Sequence, residues 1–223
     1  FLYFLRYIFS GADKVIYCAS SLKGLLINYF KINGTILKYV PWAVDDVFFR
    51  PIKVEPAPYI FSAGDNDRDY TTLIEAIRNT GLGLKIATSL PIKGRHDNIE
   101  IMPWLKPVLL REEYAKAKFV VVPLHNAPSA SGATALLESM AMGKAVIVSD
   151  SYGVRDFVRD RHNAIIVQPQ DALALRKAII YLNENHRERE MIGQNARHTV
   201  EKYFNTARQA QDLAEAYKEV LIK

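Results

Sequence analysis

The sequence predicts an α/β fold, a parallel sheet covered by helices on both faces. Three observations predict it. From residue 59 onward, short apolar runs alternate with longer amphipathic ones, as strands do when each is followed by a covering helix. Several of the short runs, such as Phe119-Val-Val-Val-Pro123 and Ala145-Val-Ile-Val148, are apolar without a break, the mark of inner parallel strands buried on both faces. Finally, 49% of the 223 residues are hydrophobic and 24% charged, enough to fill a sizeable core. Together these describe a Rossmann-like arrangement.

The chain opens at Phe1 with an aromatic run through Phe9 that carries Arg6 in its middle. It is too short for a membrane-spanning helix and lacks a small-residue cleavage pattern. It reads as the cut end of a longer protein, starting inside a helix; its density of aromatics would also suit contact with a membrane surface. Residues 12–20 read as a strand, residues 22–30 as a helix with Ser20 or Ser21 as its cap, Asn33-Gly34 as a turn, and residues 35–40 as a second strand stopped by Pro41. Residues 41–58 are irregular and proline-bounded, so a boundary falls there. We expect residues 1–50 to be the tail of a preceding domain, residues 51–205 a ligand-binding domain, and residues 206–223 a helix packing back towards the first part.

Within the second block, strands are expected at residues 59–63, 84–88, 98–102, 119–123, 145–148 and 164–167. Helices are expected at residues 71–79, 109–117, 172–183 and 187–203, with another before Gly143. A last amphipathic helix, over residues 206–222, places Ala210, Leu213, Ala214, Tyr217, Val220 and Leu221 on one side. Repeats and low-complexity tracts are absent from the sequence.

In such sheets ligands bind outside the carboxyl ends of the strands. Three loops converge there: residues 64–70, residues 103–106 and residues 124–132. In the last, Gly132 and its small neighbours allow close backbone approach, and the following helix aims free N–H groups at whatever sits there. On a helical wheel Ser131, Thr134 and Glu138 fall on one line, with Leu136, Leu137 and Met140 opposite. Arg68, just after a strand and Gly64, would face that helix start, and a guanidinium opposite a helix N-terminus clamps a diphosphate well. Arg68 could equally be a surface partner of Asp65, Asp67 or Asp69, Glu138 a solvated helix residue, and both glycines plain turn residues. Trp104 could stack on a base or cover the sheet edge; Tyr70 should pack beneath its loop.

Cys18 is the sole cysteine, so no intrachain disulfide or cysteine zinc site forms. It reads as a buried strand residue, and a reducing cytoplasm is the natural compartment. His96, His125, His162, His186 and His198 show no metal-ligand spacing, and only His125 falls on the expected rim. The net charge of +5 suits an anionic ligand or an ordinary solubility balance, and its scatter gives no nucleic-acid footprint. Walker, Gly-x-Ser-x-Gly and Gly-x-Gly-x-x-Gly patterns are missing.

Four segments, in order, resemble one family. Leu136-Leu-Glu-Ser-Met-Ala-Met-Gly-Lys-Ala-Val-Ile147 is similar to the Leu-Glu-Ala-Met-Ala-x-Gly-x-Pro-Val-Ile block of retaining GT-B glycosyltransferases, those of glycosyltransferase family 4 in particular. The segment from Ser62 to Ala76 resembles the same family's Gly-Arg…Lys/Arg-Asp-Tyr segment. The segment from Pro41 to Pro51 resembles its Pro-Asn-Gly-Val-Asp…Phe-x-Pro linker, and residues 153–169 its Gly…Glu-x-Val-x-Asp-Gly-x-Asn-Gly-x-Leu-Val-x-Pro stretch.

The resemblance implies a GT-B C-terminal domain, the nucleotide-sugar-binding half, moving a sugar from a nucleotide donor to an acceptor in polysaccharide or glycan synthesis. It implies that Glu138, matching the second glutamate of a Glu-x7-Glu motif, holds the ribose hydroxyls. Arg68 would hold the diphosphate and stabilise the leaving nucleotide. Gly64 and the backbone of Ser131, Gly132, Ala133 and Thr134 would contact phosphate or sugar, and the base would lie at the loop after Met102. No cofactor or metal is implied. The acceptor, a glycan or a lipid-linked one, would be held by a missing N-terminal half, with association at a membrane periphery. Three departures stand out: Ala130 at the motif's first glutamate, Asp65 at its usual arginine, and Ala145 at its proline. They leave room for a non-catalytic nucleotide-binding or scaffold module, or for a nucleotide-sugar epimerase of the same fold.

Overall fold

The computed structural model describes residues 7–9, 11–94 and 97–221. The expectations for residues 1–6, His96 and Ile222 lie outside the described residues, and of the opening run residues 7–9 are helical.

The centre is a six-stranded sheet of β3 (Tyr59–Ala63), β4 (Gly83–Ala87), β5 (Ile99–Met102), β6 (Val120–Val122), β7 (Val146–Ser149) and β8 (Ile165–Val167). Its order is β5-β4-β3-β6-β7-β8, with every neighbour pair parallel. Helices α2 (Tyr70–Ile77), α3 (Pro107–Lys116), α4 (Ala133–Ala141), α5 (Ala172–Glu184) and α6 (His186–Tyr203) flank it. The inner strand β6 is apolar throughout because successive side chains enter opposite cores, whereas β4 and the edge strand β5 carry Lys85 and Glu100. Phe61, Val120, Val122, Val146 and Val148 join Tyr114, Leu136 and Met140 on one face. Ile60, Val121 and Ile147 join Leu73, Ile77, Ile179 and Leu182 on the other.

Helix ends follow the residues available. Asp69 caps α2 by accepting from the Thr72 N–H, Asp171 caps α5 by accepting from the Ala174 N–H, and Pro107 opens α3. Gly143, at φ +69°, stops the chain after α4. Helix α6 crosses that turn so closely that a Cβ on Gly193 would sit 2.3 Å from the Gly143 carbonyl oxygen.

The first block holds a separate two-stranded parallel sheet, β1 (Val15–Tyr17) and β2 (Leu37–Tyr39), with α1 (Lys23–Asn28) between them. Both strands are shorter than expected. The Asn33 side chain accepts from the Thr35 N–H and starts a 3₁₀ turn over Gly34–Ile36, which takes residues a strand would have used. Cys18 lies past the end of β1 and is partly exposed, not a buried strand residue.

Residues 45–58 contain no helix or strand but are strapped down. Arg197 Nη1 donates to the carbonyls of Asp46, Phe49 and Ala141 at 2.9, 2.9 and 2.7 Å, and Arg111 Nη1 to that of Phe48 at 3.2 Å. The last helix, α7 (Thr206–Leu221), turns back to the first block. Its Glu219 pairs with Lys14 and Lys38 at 2.8 and 2.6 Å, and Gln209 donates to the Pro41 carbonyl. Its expected apolar side is largely bare: Tyr217 and Leu221 are exposed, and Ala216 is what it buries. Across from it, Asp156 accepts from the Ser20 N–H and hydroxyl and from the Tyr39 hydroxyl.

Candidate functional site

The sheet order reverses direction between β3 and β6, and there the loops leaving their carboxyl ends part. A cavity of about 620 Å³ opens at this point. Its walls come from six places: Trp42, Phe48 and Phe49 of the linker; Ala63 to Asn66 with Arg68; Ala87 at the end of β4; Trp104, Leu105 and Pro107; Leu110 and Tyr114 of α3; and Ala130 to Gly132 with Thr134, Ala135 and Glu138.

Arg68 is seated by its own loop. Its Nε donates to the Ala63 carbonyl at 3.0 Å and Nη1 to that of Asn66 at 2.9 Å. The guanidinium lies flat over Gly64, whose φ is +114° and where a Cβ would come within 2.4 Å of Nη2. Arg68 forms no ion pair among the described residues, because the three neighbouring carboxylates are occupied elsewhere. Asp65 accepts from the Thr88 hydroxyl and the Ser89 N–H, Asp67 from the Ser129 hydroxyl, and Asp69 from the Thr72 N–H and hydroxyl. The Thr88 hydroxyl holds the Asp65 carboxyl, and the Ser131 and Ser129 hydroxyls the Asp67 carboxyl, below the usual carboxylate range. Asp65 stays in the cavity wall as a negative charge near Arg68.

The second loop is welded to the first. The Ser129 hydroxyl meets both Asp67 and the Ser131 hydroxyl, and the His125 N–H donates to the Asp67 carbonyl. Gly153 supports it from below: a Cβ there would lie 2.6 Å from the Ala130 carbonyl carbon and from the Ser131 oxygen. Gly132 then starts α4 at φ +89°, with Leu124 filling the place of any side chain. No side chain caps this nine-residue helix, so its first N–H groups are left facing the cavity rim.

Leu136, Leu137 and Met140 are fully buried, and Thr134 and Glu138 line the cavity from the opposite side of α4. The Tyr114 hydroxyl donates to Glu138 Oε2 at 3.1 Å. Burial raises the Glu138 carboxyl from 4.5 to about 7, against the opposing pull of Tyr114 and Arg68.

Of the residues singled out in the sequence, Gly64, Arg68, Ser131, Gly132, Thr134 and Glu138 surround one space. Ala133 is buried behind the rim, and Met102 packs towards the core, leaving the cavity edge to Trp104 and Leu105. His125 stands 3.8 Å from Asp69 and away from the cavity. Tyr70 packs under its loop and donates to the Gly64 carbonyl. Sequence reasoning missed Tyr114, Trp42, Phe48 and Phe49. The clustering of aromatics at Trp42, Phe48 and Phe49 in a non-periodic stretch was the available hint. Among the described residues no three acidic, histidine or cysteine groups gather as metal ligands, and no helix is long and apolar enough to cross a membrane.

Fold and cavity together describe a parallel α/β sheet with a ligand-sized space at its switch point, and comparison with known proteins makes this specific. Residues 92–199 match the family model described as Glycosyl transferases group 1, and that part of the chain is a glycosyltransferase group 1 domain. An uncharacterised glycosyltransferase of Methanocaldococcus jannaschii is 25% identical over 99 residues, covering 44% of this chain and 25% of that protein. The sucrose-phosphate synthase of Thermosynechococcus elongatus superposes with a TM-score of 0.85 at 21% identity, over 99% of this chain and 61% of its own. Anabaena HepE, solved in complex with UDP-glucose, superposes with a TM-score of 0.83 at 15% identity, over 98% and 68%. The chain thus spans about a quarter of the curated relative it matches.

Proposed function

We propose that this chain is the donor-binding part of a retaining hexosyltransferase that moves a sugar from a nucleoside diphosphate to a glycan or lipid-linked acceptor. One observation carries the reading: Arg68, the uncapped start of α4 and the Glu138 carboxylate face a single cavity. The cation and the helix start suit a diphosphate, and the carboxylate suits a vicinal diol. That HepE was solved with UDP-glucose supports the same donor class.

In this reading the bond from the sugar's anomeric carbon to the diphosphate oxygen breaks as the acceptor oxygen attacks from the same face. The acceptor's proton passes to the departing phosphate. The charge building on the diphosphate is met by Arg68 and the α4 N–H groups, without a metal or other cofactor. The acceptor is held by a part of the protein preceding these residues, in polysaccharide or glycan synthesis at the cytoplasmic side of a membrane periphery.

Asp65 and Ala130 favour a second reading, a module that binds nucleotide without transferring sugar. Asp65 puts a carboxylate in the phosphate half of the cavity, and Ala130 supplies no acceptor for a sugar hydroxyl.

The test is optical. Trp42 and Trp104 are the chain's two tryptophans, and both line the cavity. Titration with UDP-, GDP- and ADP-linked sugars should give saturable quenching for one of them, and Arg68→Ala should weaken it by at least ten-fold, about the 1.5–3 kcal/mol of a charge-assisted bond. No quenching at millimolar concentration would sink both readings. Binding by the full-length protein without sugar transfer to any acceptor would favour the second.

A further inference from the structure

We propose that Tyr114 is a positioning residue that holds the Glu138 carboxylate in the orientation required by a ribose diol. This rests on the donor-binding reading above.

A glutamate side chain has three rotatable bonds, and nothing about a helix surface fixes the plane of its carboxylate. Here the plane is fixed from beneath. Tyr114 is fully buried, and its ring is gripped edge-on by Phe61 and Phe49, with centroids 5.2 and 6.3 Å away. The hydroxyl therefore has no freedom to follow Glu138; Glu138 must come to it. The 3.1 Å bond engages Oε2 from the core side and leaves Oε1 for the cavity, where Glu138 is a lining residue.

The other groups facing Glu138 act differently. Arg68, from the β3–α2 loop, forms no ion pair with it, and its bonds go to the Ala63 and Asn66 carbonyls. Asp65, across the same cavity, is held by Thr88 and Ser89. Phe48 and Phe49 of the linker offer only apolar surface. Tyr114 is thus the one described side chain that donates to the carboxylate. Burial and the Glu138 charge keep its phenol protonated across the working pH range. It remains a donor while Glu138 changes charge.

The experiment compares affinities for UDP and its 2′,3′-dideoxy analogue on the intact chain between pH 6.5 and 8.5. Their ratio cancels the titration of phosphate and base, which both ligands share. In the unaltered protein the ratio should rise with pH through about 7, as Glu138 ionises. Tyr114→Phe keeps the ring and removes the hydroxyl. It should lower the ratio about five-fold at pH 8.5, where Glu138 is largely ionised with or without the phenol, and move the rise up by about one pH unit. A purely structural loss would weaken both ligands at every pH and leave the ratio alone. In a Glu138→Ala background Tyr114→Phe should have no effect on the ratio.

A Tyr114→Phe ratio that recovers to the unaltered value by pH 8.5 overturns the proposal, as does an equal loss in the Glu138→Ala background. A ratio near one at all pH in the unaltered protein overturns the ribose assignment beneath it.

Discussion

Replacing Glu138 with glutamine removes a charge but keeps an acceptor for the Tyr114 hydroxyl, so the fold should register chiefly the lost charge. In the folded chain the carboxyl is raised from 4.5 to about 7 by burial. Between those values the unfolded chain has released its proton and the folded chain still holds it. Stability therefore falls as pH rises through this window, and the whole cost is present above about pH 8. At about 1.4 kcal/mol per pH unit the rise is worth roughly 3 kcal/mol, and roughly 2 after discounting for the open side of the cavity. Thermal melts of Glu138→Gln against the unaltered protein should coincide at pH 4 and diverge with pH. At pH 8 the variant should melt roughly 4–8 °C higher, given about 2–4 °C per kcal/mol for a chain of this size. The same substitution should weaken nucleotide binding, trading function for stability. Parallel melting curves at every pH, or a variant less stable at pH 8, would refute the reasoning.

Two further substitutions probe the backbone. Gly64→Ala forces a Cβ to within 2.4 Å of Arg68 Nη2 at a φ of +114°, so the guanidinium must leave its seat. Nucleotide affinity should fall as far as it does for Arg68→Ala, and titration of the two variants side by side decides it. Gly193→Ala adds a good helix former to α6, worth about 1 kcal/mol by propensity. It also drives a Cβ to 2.3 Å from the Gly143 oxygen, which is backbone and cannot swing away. Net destabilisation of about 1–3 kcal/mol is expected in a denaturant titration, and a more stable variant would show the two helices free to separate.

What the sequence reveals here depends on whether a feature repeats along the chain. Unbroken runs such as Val120–Val122 announce the inner strands because both of their faces are buried, and the six strands of the main sheet fall where the alternation places them. Helix α4 is legible for the same reason, with Leu136, Leu137 and Met140 fixing which side Glu138 must face. The linker is not. Trp42, Phe48 and Phe49 follow no period, and Phe48 and Phe49 are held in the cavity wall by Arg111 and Arg197, far along the chain, which bind the carbonyls there. Tyr114 is hidden in another way: periodicity marks it as buried without saying where its hydroxyl ends. The exposed Tyr217 and Leu221 show the converse, since an amphipathic pattern states which side could be covered and not what covers it.

Two carboxylates hold the small sheet, Asp156 from the loop after β7 and Glu219 from α7. Asp156 gathers Ser20 and Tyr39, while Glu219 gathers Lys14 and Lys38. The lysines hold the Glu219 carboxyl down to about 2, so mild acid leaves that tie intact. Its partners are nonetheless partly solvated, at 20% and 30% exposure against 41% for Glu219, within reach of mobile ions. At 1 M salt the screening length is about 3 Å, comparable with the pairs themselves. The contact between α7 and the small sheet is thus tuned by ionic strength. Salt can therefore loosen α7 from the first block while the six-stranded sheet, held by apolar contact, stays closed.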